Sequence, residues 1–209
     1  MVYWIMYRDA STDSANSVEL IGIDDGPFSF TPSREDGVSL QRFAPLVATQ
    51  LNGAHIVRVS TGRIIVDGMD GTRVAQRLLD GFPRLPVLLS GVTYGGFNLI
   101  DPRILERSRR TPTIVVIGSK PRNYHVKSAL RRHFPDWERR WMIIRSLGPV
   151  RKLRTLPNEP AIYYERFGCP ISNARQILRG ASLVSRIPEP IRVAGMIARG
   201  LNRLPAISA

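Results

Sequence analysis

The stretch "LIGIDDGPF", residues 20–28, leads from an apolar run into two adjacent aspartates and then into a Gly-Pro break. The apolar residues predict the end of a buried strand, and the Gly-Pro pair stops regular strand pairing. Asp24 and Asp25 therefore lie where a strand leaves the core. Two interpretations are open for them: a solvated turn, in which an aspartate bonds its own backbone, or a metal site held on a rigid strand.

Two more strands are predicted directly after this one. The segments "FAPLVATQL" (43–51) and "HIVRVSTGRIIVDG" (55–68) are rich in β-branched residues, with turn signals at Asn52-Gly53 and Thr61-Gly62. Together the three strands predict an antiparallel meander.

Helix and strand patterns alternate in the rest of the chain. Segment 71–82 has the apolar spacing of a helix, with Asp70 or Thr72 available as its N-cap. The later segments are strand 85–94, helix 102–110, strand 111–118, helix 123–134, strands 141–147 and 161–167, and helices 171–180 and 188–204. Apolar strands that alternate with helices are typical of parallel sheets covered on both faces. We therefore expect an α/β fold with a mixed central sheet, an antiparallel meander followed by parallel strands, flanked by helices.

The composition predicts one domain and a polyanionic partner. A chain of 209 residues with 43% hydrophobic positions can bury a substantial core, so residues 1–209 are expected to form a single domain. Residues 1–17 are predicted to be an N-terminal strand or arm. The net charge of +13 favours nucleic acid or an anionic membrane surface. Arginine supplies most of that charge, and its planar fork fits phosphate, but heavy arginine use can equally follow genome composition.

The cysteine content and the lack of a long apolar run predict a cytoplasmic protein. Cys169 is the only cysteine, so no internal disulfide can form. No apolar run approaches the length of a membrane span, so no membrane partner is expected.

Short motifs along the whole chain carry a family resemblance. They are "GIDDG", "VDGMDGT", "GFNLID", "TPTIVVIGSK", "GCPIS" and "IPEPIRVA". In order and spacing they resemble endonuclease V, and most closely its archaeal relatives, the endonuclease dU family. The resemblance implies a ribonuclease H-like fold, Mg²⁺ as cofactor with Mn²⁺ as an alternative, and cleavage of DNA that contains deoxyuridine.

The resemblance also implies site residues. Asp24 matches the metal ligand on the first strand, Asp70 falls where endonuclease V has a glutamate, and Lys120 matches a lysine that follows the Pro-Thr-Ile strand. These three are the predicted catalytic residues. Ser90 and Cys169 are departures, because they stand where endonuclease V has an aspartate and a histidine.

The serine at position 90 requires a replacement ligand. Asp25, Asp67 and Asp101 are available, but Asp101 precedes a proline and is better interpreted as a helix N-cap. Like charges brought together need a cation to offset their repulsion. Asp24, Asp25, Asp67 and Asp70 are therefore predicted to share a metal ion.

The segment "GVTYGGFN", residues 91–98, is the predicted lesion pocket. Gly95 and Gly96 permit close approach of a base, Tyr94 and Phe97 offer a stacking wall, and Asn98 can pair with a uracil edge. The alternative is a loop whose aromatic side chains fill the core.

Basic residues after position 120 are candidates for contacts with the DNA backbone. His125 is predicted to contact a phosphate. Four arginines near two tryptophans are further candidates, with ordinary solvated faces as the alternative; they are Arg131, Arg132, Arg139 and Arg140. Glu189 and Arg192 are predicted to form a local ion pair, and Cys169 to fill an apolar site.

The sequence as a whole predicts a Mg²⁺-dependent endonuclease that cleaves DNA at deaminated bases, at deoxyuridine, in DNA repair. RNA remains open as a second substrate. The main alternative is a nucleic-acid-binding protein that has this fold but no hydrolytic activity, which the Ser90 departure favours. A metal-dependent enzyme for small phosphorylated molecules explains the aspartates but not the charge of +13.

Overall fold

The computed structural model describes residues 18–28, 34–35, 38–39 and 42–201. Its strands are β1 (Glu19–Asp25), β2 (Arg34–Glu35), β3 (Val38–Ser39), β4 (Phe43–Asn52), β5 (His55–Ile65), β6 (Val87–Ser90), β7 (Thr93–Tyr94), β8 (Asn98–Leu99), β9 (Thr113–Ile117), β10 (Arg151–Leu153) and β11 (Ile162–Phe167). Its helices are α1 (Gly71–Leu79), α2 (Pro102–Arg109), α3 (Asn123–His133), α4 (Trp137–Arg145), α5 (Ile171–Ala181) and α6 (Glu189–Leu201).

Seven of the strands form one mixed sheet, in the order β10-β11-β9-β6-β1-β4-β5. Strands β1, β4 and β5 pair antiparallel and make the predicted meander. Strands β1, β6 and β9 are parallel, whereas β11 runs antiparallel to β9. The prediction of an α/β fold with a mixed central sheet is confirmed.

The side chains of β1 alternate between two apolar layers. Leu20 packs with residues of α5 and α6 on one face of the sheet. Ile21 and Ile23 pack with residues of α1 and α2 on the other face. Because successive residues of a strand point to opposite faces, adjacent residues of β1 serve different layers.

Helix α6 lies unusually close to β1. A Cβ placed on Gly22 would lie 2.2 Å from the carbonyl carbon of Pro190, and one placed on Gly26 would lie 2.4 Å from the carbonyl oxygen of Ala198. The hydroxyl of Thr49 on β4 donates a hydrogen bond of 2.7 Å to the carbonyl of Pro190. The absence of a side chain at Gly22 and at Gly26 therefore allows the helix to rest on the backbone of β1 and of the residue that follows it.

Two sequence predictions about single elements are wrong. Segment 141–147 was expected to be a strand but is mostly the second half of α4, whose apolar side chains pack against α3 and the β7–β8 hairpin. Thr61-Gly62 is not a turn, because β5 continues through it and Gly62 lies beneath Val74 and Leu78 of α1. The predicted N-terminal strand or arm lies outside the described residues.

No helix within the described residues has both the length and the apolar character that crossing a bilayer requires.

Candidate active site

A pocket of about 260 Å³ lies at the edge of the sheet where the parallel strands β1, β6 and β9 end. Ile23 pairs with Leu89, and the next residues on these strands, Asp24 and Ser90, both line the pocket. The remaining lining residues are Val116, Gly118, Ser185, Ile187, Ile191, Arg192 and Arg199. The carboxyl ends of parallel strands form a crevice in which α/β proteins commonly bind ligands. This pocket is therefore the candidate active site.

Among the residues that the structure describes, Asp24 is the only carboxylate that lines the pocket. One of its oxygens accepts a hydrogen bond of 3.0 Å from the backbone N–H of Asp25, and Ser90 lines the same pocket. Burial, and next the charge of Asp25, raise the pKa of Asp24 to about 6, against the opposing effects of Ser90 and Arg199. At neutral pH the pocket therefore holds an anion that is poorly solvated and favours a cationic partner.

Helix α6 contributes two arginines to the pocket. Arg192 forms an ion pair of 2.7 Å with Glu189, which confirms the predicted local pair, yet Arg192 also lines the pocket. Arg199 was not predicted. A usable signal was its spacing on α6: Arg192, Gly195 and Arg199 recur every three or four residues, the repeat of one helix face.

Asp25 and Asp67 hold the 91–98 loop instead of facing the pocket. The N–H of Gly95 donates to Oδ2 of Asp25 at 2.6 Å, and the N–H of Phe97 donates to Oδ1 of Asp67 at 2.9 Å. The backbone N–H of Asp67 in turn donates to the carbonyl of Gly95 at 2.8 Å. Burial raises the pKa of Asp25, and the hydrogen bond from Gly95 opposes that shift. Both aspartates thus fasten a loop to the sheet.

Asp70 and Asn98 bind each other. Oδ1 of Asp70 accepts hydrogen bonds from the amide of Asn98 at 2.5 Å and from the N–H of Ile65 at 3.2 Å. Oδ1 of Asn98 accepts from the N–H of Gly71 at 2.8 Å. Asp70 is the residue before α1 but makes no side-chain cap bond. Asn98 is 0% exposed, so the structure does not place it where it could pair with a base.

Of the other residues of the predicted lesion pocket, Tyr94 and Gly95 are buried, and Gly96 and Phe97 are half-buried. Tyr94 is 1% exposed and donates to the carbonyl of Gly91 at 3.1 Å. A Cβ on Gly95 would contact Ala44 and Ile64, and a Cβ on Gly96 would lie 2.2 Å from Oδ1 of Asp67. The alternative interpretation, a loop whose aromatics fill the core, describes this segment.

The ring of Phe97 packs against another side chain of the protein: it lies edge to face against Phe134, with centroids 5.4 Å apart.

The predicted cluster of four aspartates is not formed. Across the described ranges, no three His, Cys, Asp or Glu side chains lie close enough together to hold a metal ion. Asp24 faces α6, whereas Asp25, Asp67 and Asp70 bind backbone or amide groups around the 91–98 loop. Mg²⁺ commonly binds through one or two carboxylates, several waters and substrate phosphate. A magnesium ion held at Asp24 would therefore need its remaining ligands from water and substrate.

Other predicted residues lie outside the pocket. Lys120 lines a neighbouring depression with Ser119, Pro121 and Arg122. Cys169 is buried in the apolar cluster between the sheet and α5, which confirms its packing role, and burial raises the pKa of its thiol. Asp101 is confirmed as the N-cap of α2, where it accepts from the N–H of Arg103 at 3.0 Å. None of these three residues lines the pocket that contains Asp24.

The four candidate arginines divide into two groups. Arg131, Arg132 and Arg139 are exposed. Arg140 is 5% exposed, pairs with Asp136 at 2.9 Å and donates to the carbonyls of residues 67, 68 and 97. The prediction that Arg140 contacts DNA is therefore wrong, because its guanidinium supports the loop. His125 is exposed on α3.

Comparisons with known proteins agree with this architecture. The family model described as endonuclease dU matches residues 16–202. A UPF0215 protein of Thermococcus gammatolerans is 37% identical over 87% of this chain and 90% of its own length. A UPF0215 protein of Methanothermobacter thermautotrophicus is 34% identical over 97% of this chain and 96% of its own length.

Solved structures show the same fold. A protein of unknown function from Archaeoglobus fulgidus has a TM-score of 0.73 and 26% identity, covering 88% of this chain and 98% of its own. Endonuclease V of Ciona intestinalis, solved with DNA that contains inosine, has a TM-score of 0.56 and 17% identity, covering 91% and 88% of the two chains. The matched family model and these relatives establish that the chain belongs to the endonuclease dU family and has the ribonuclease H-like fold of endonuclease V.

Proposed function

We propose that this protein is a Mg²⁺-dependent endonuclease that cleaves DNA at deaminated bases, with deoxyuridine as the preferred lesion. The observation that carries the proposal is the position of Asp24, a desolvated carboxylate in a pocket at the ends of three parallel strands. The family description supplies the lesion, and the structure of endonuclease V with inosine-containing DNA makes DNA the expected partner. The net charge of +13 suits a polyanionic substrate.

The charged residues of the pocket are proposed to have two roles, metal binding by the carboxylate and phosphate binding by the cations. Asp24 would hold the metal ion, oriented by the hydrogen bond that it accepts from the backbone N–H of Asp25. Arg192 and Arg199 line the same pocket and can bind the non-bridging oxygens of a phosphate. Lys120, two residues after Gly118 of the pocket, is proposed to contact a flanking phosphate. When bound, Mg²⁺ supplies activation of the attacking water and stabilisation of the leaving oxygen.

A single metal-binding carboxylate also favours the second candidate function, binding without hydrolysis. The three described aspartates expected to assist Asp24 are engaged elsewhere. The two functions differ in one outcome, which is whether a phosphodiester bond is broken when metal is supplied.

The experiment uses end-labelled duplex and single-stranded DNA with one deoxyuridine, one deoxyinosine or one thymidine at the same position. Each substrate is incubated with Mg²⁺, Mn²⁺ or EDTA. We expect metal-dependent cleavage at deoxyuridine and none at thymidine. Asp24→Asn should reduce the rate by at least about 100-fold, because it removes the metal-binding charge.

Asp25→Asn is the matched control, since it changes the neighbouring carboxylate on the opposite face of the same strand. We expect it to keep cleavage within about tenfold of the parent, because an amide oxygen can still accept the hydrogen bond from Gly95. Binding to deoxyuridine DNA without cleavage by any preparation would support the binding protein instead. Equal loss of activity in both variants would reject Asp24 as the metal residue.

A further inference from the structure

Helix α3 presents a basic groove. The groove has a volume of about 580 Å³ and is lined by Tyr124, Lys127, Ser128, Arg131 and Arg132. The basic residues recur at the spacing of one helix face, and no carboxylate is among the described residues that line the groove.

The positive charge of this groove is not neutralised within the described part of the chain. The three ion pairs found there join Arg103 with Asp101, Arg140 with Asp136, and Arg192 with Glu189. Two of the three cations of the groove instead contact rings of α4. Lys127 lies 5.5 Å from the ring centre of Trp141, and Arg131 lies 5.3 Å from that of Trp137. These contacts steady the side chains while leaving their charge available to an anion.

Tyr124 gives the groove an exposed aromatic surface. It is 81% exposed, the largest exposed fraction among the large hydrophobic residues described. Its only described ring contact is with His125, edge to face, with centroids 5.8 Å apart. An exposed ring beside several cations is the combination that proteins use to bind single-stranded nucleic acid, because bases stack on the ring and phosphates meet the cations.

The groove is connected to the pocket by a short segment of chain. Gly118 lines the pocket of Asp24, and residues 119–122 line a second depression of about 680 Å³ that includes Lys120 and Arg122. Helix α3 begins at the next residue, Asn123. The pocket, the second depression and the groove therefore follow one another along the chain from the end of β9.

We propose that the exposed face of α3 binds a single-stranded stretch of the nucleic acid beside the cleavage site. Tyr124 stacks on an unpaired base, and Lys127, Arg131 and Arg132 contact the backbone. The relation to a cleavage site rests on the proposed function, but the binding of single strands by this face does not.

The first test measures binding of a fluorescent oligothymidylate of twelve nucleotides by anisotropy, in EDTA. Tyr124→Ala should weaken affinity by about tenfold, the lower to middle range for loss of one stacked base. Tyr124→Phe keeps the ring and should bind within about twofold of the parent. The same variants should bind an undamaged twelve-base-pair duplex equally. If Tyr124→Ala binds the single strand as the parent does, or weakens the duplex as much, the stacking proposal is overturned.

The second test measures how affinity depends on salt. Each phosphate contact to a single strand contributes about 0.7 to the log–log slope, so Arg131→Ala with Arg132→Ala should reduce the slope by about 1.4. The matched control is Arg175→Ala with Arg179→Ala, which removes two exposed arginines from α5. This helix packs in the apolar cluster that contains Leu20. An equal effect of both pairs would mean that net charge alone drives binding, and would overturn the assignment to α3.

These measurements use undamaged DNA without metal, so they stand apart from the cleavage assay. Failure to cleave deoxyuridine would reject the proposed function and leave these results unchanged. Unaltered binding in all α3 variants of an active nuclease would reject the α3 proposal alone.

Discussion

The carboxylate of Asp24 touches the backbone of Gly195: a Cβ placed on Gly195 would lie 2.3 Å from Oδ2 of Asp24 and 3.2 Å from a guanidinium nitrogen of Arg199. Real Cβ atoms do not approach other heavy atoms to 2.3 Å, so any side chain at position 195 must move the aspartate or the helix. Helix α6 thus fixes the position of the pocket's acidic group.

Gly195→Ala should therefore reduce cleavage by at least about tenfold, because a displacement of about 1 Å can cost 100-fold in rate. Gly200→Ala is the matched control on the same helix, where a Cβ would meet nothing within 4 Å. There the change should leave the rate unaltered and stabilise the protein by about 0.5–1 kcal/mol, the helix preference for alanine. Single-turnover cleavage and urea unfolding measure the two effects. Parental activity in Gly195→Ala would contradict this role.

Asn98→Ala should destabilise the fold without altering lesion preference. The substitution removes the amide that donates to Ile65 and Asp70 and accepts from Gly71. Buried groups left without partners cost about 1–3 kcal/mol each, so a loss of roughly 3 kcal/mol in the free energy of unfolding is expected. Asn173→Ala, at an exposed asparagine of α5, should change stability by less than about 0.5 kcal/mol. A changed ratio of deoxyuridine to deoxyinosine cleavage would restore Asn98 as a base contact.

Gly96→Ala should cost more stability than Gly91→Ala. Both glycines have positive φ, 86° and 80°, so both substitutions strain the backbone by about 1–2 kcal/mol. At Gly91 a Cβ would meet nothing within 4 Å, whereas at Gly96 it would lie 2.2 Å from Oδ1 of Asp67. The difference between the two variants in urea unfolding reports the contact with Asp67. Equal costs would mean that Asp67 can move aside freely.

Glu165→Gln should stabilise the protein at high pH. Glu165 is 5% exposed, its Oε2 has no hydrogen-bond partner among the described residues, and burial raises its pKa from 4.5 to about 7. Between these values the folded state holds a proton that the unfolded state releases, so stability falls as pH rises. Above pH 7 the charged Glu165 lowers the free energy of unfolding by on the order of 3 kcal/mol.

The pH series that tests this compares urea unfolding of the parent and Glu165→Gln from pH 4.5 to 8. The variant should be similar to the parent at the acid end and gain stability steadily as pH rises. Other carboxyl groups titrate in both proteins, so their effects cancel in the difference. A constant difference across the series would show that Glu165 keeps its ordinary pKa.

The strands and helices with a clear period were predictable from sequence. Strand β1 and helix α6 have their apolar residues at the spacing of a strand and a helix. Helix α4 was not predictable from sequence, because Ile143 and Ile144 favour a strand locally. Its helical structure is determined by the packing of Trp137 and Trp141 in the apolar cluster with α3. Tertiary contacts therefore determine the secondary structure of α4.

The candidate site was predictable only in part. The place of Asp24 at the end of a strand leaves a turn or a metal site open, and the family resemblance selects the metal site, but it also groups Asp25, Asp67 and Asp70 with Asp24. The number and order of the aspartates can be read from the sequence, but the hydrogen-bond partners of each aspartate cannot. Those bonds come from the 91–98 loop, whose path depends on the completed sheet.

The alternation of side chains along β1 has a consequence for how this site can vary. Asp24 and Asp25 are chemically identical neighbours, and only the pairing of β1 with β4 and β6 assigns one to the pocket and the other to the loop. A slip of one residue in that pairing would exchange them, and would also turn Gly22 and Gly26 away from α6. An insertion or deletion within β1 would therefore be far more damaging to the site than most substitutions there.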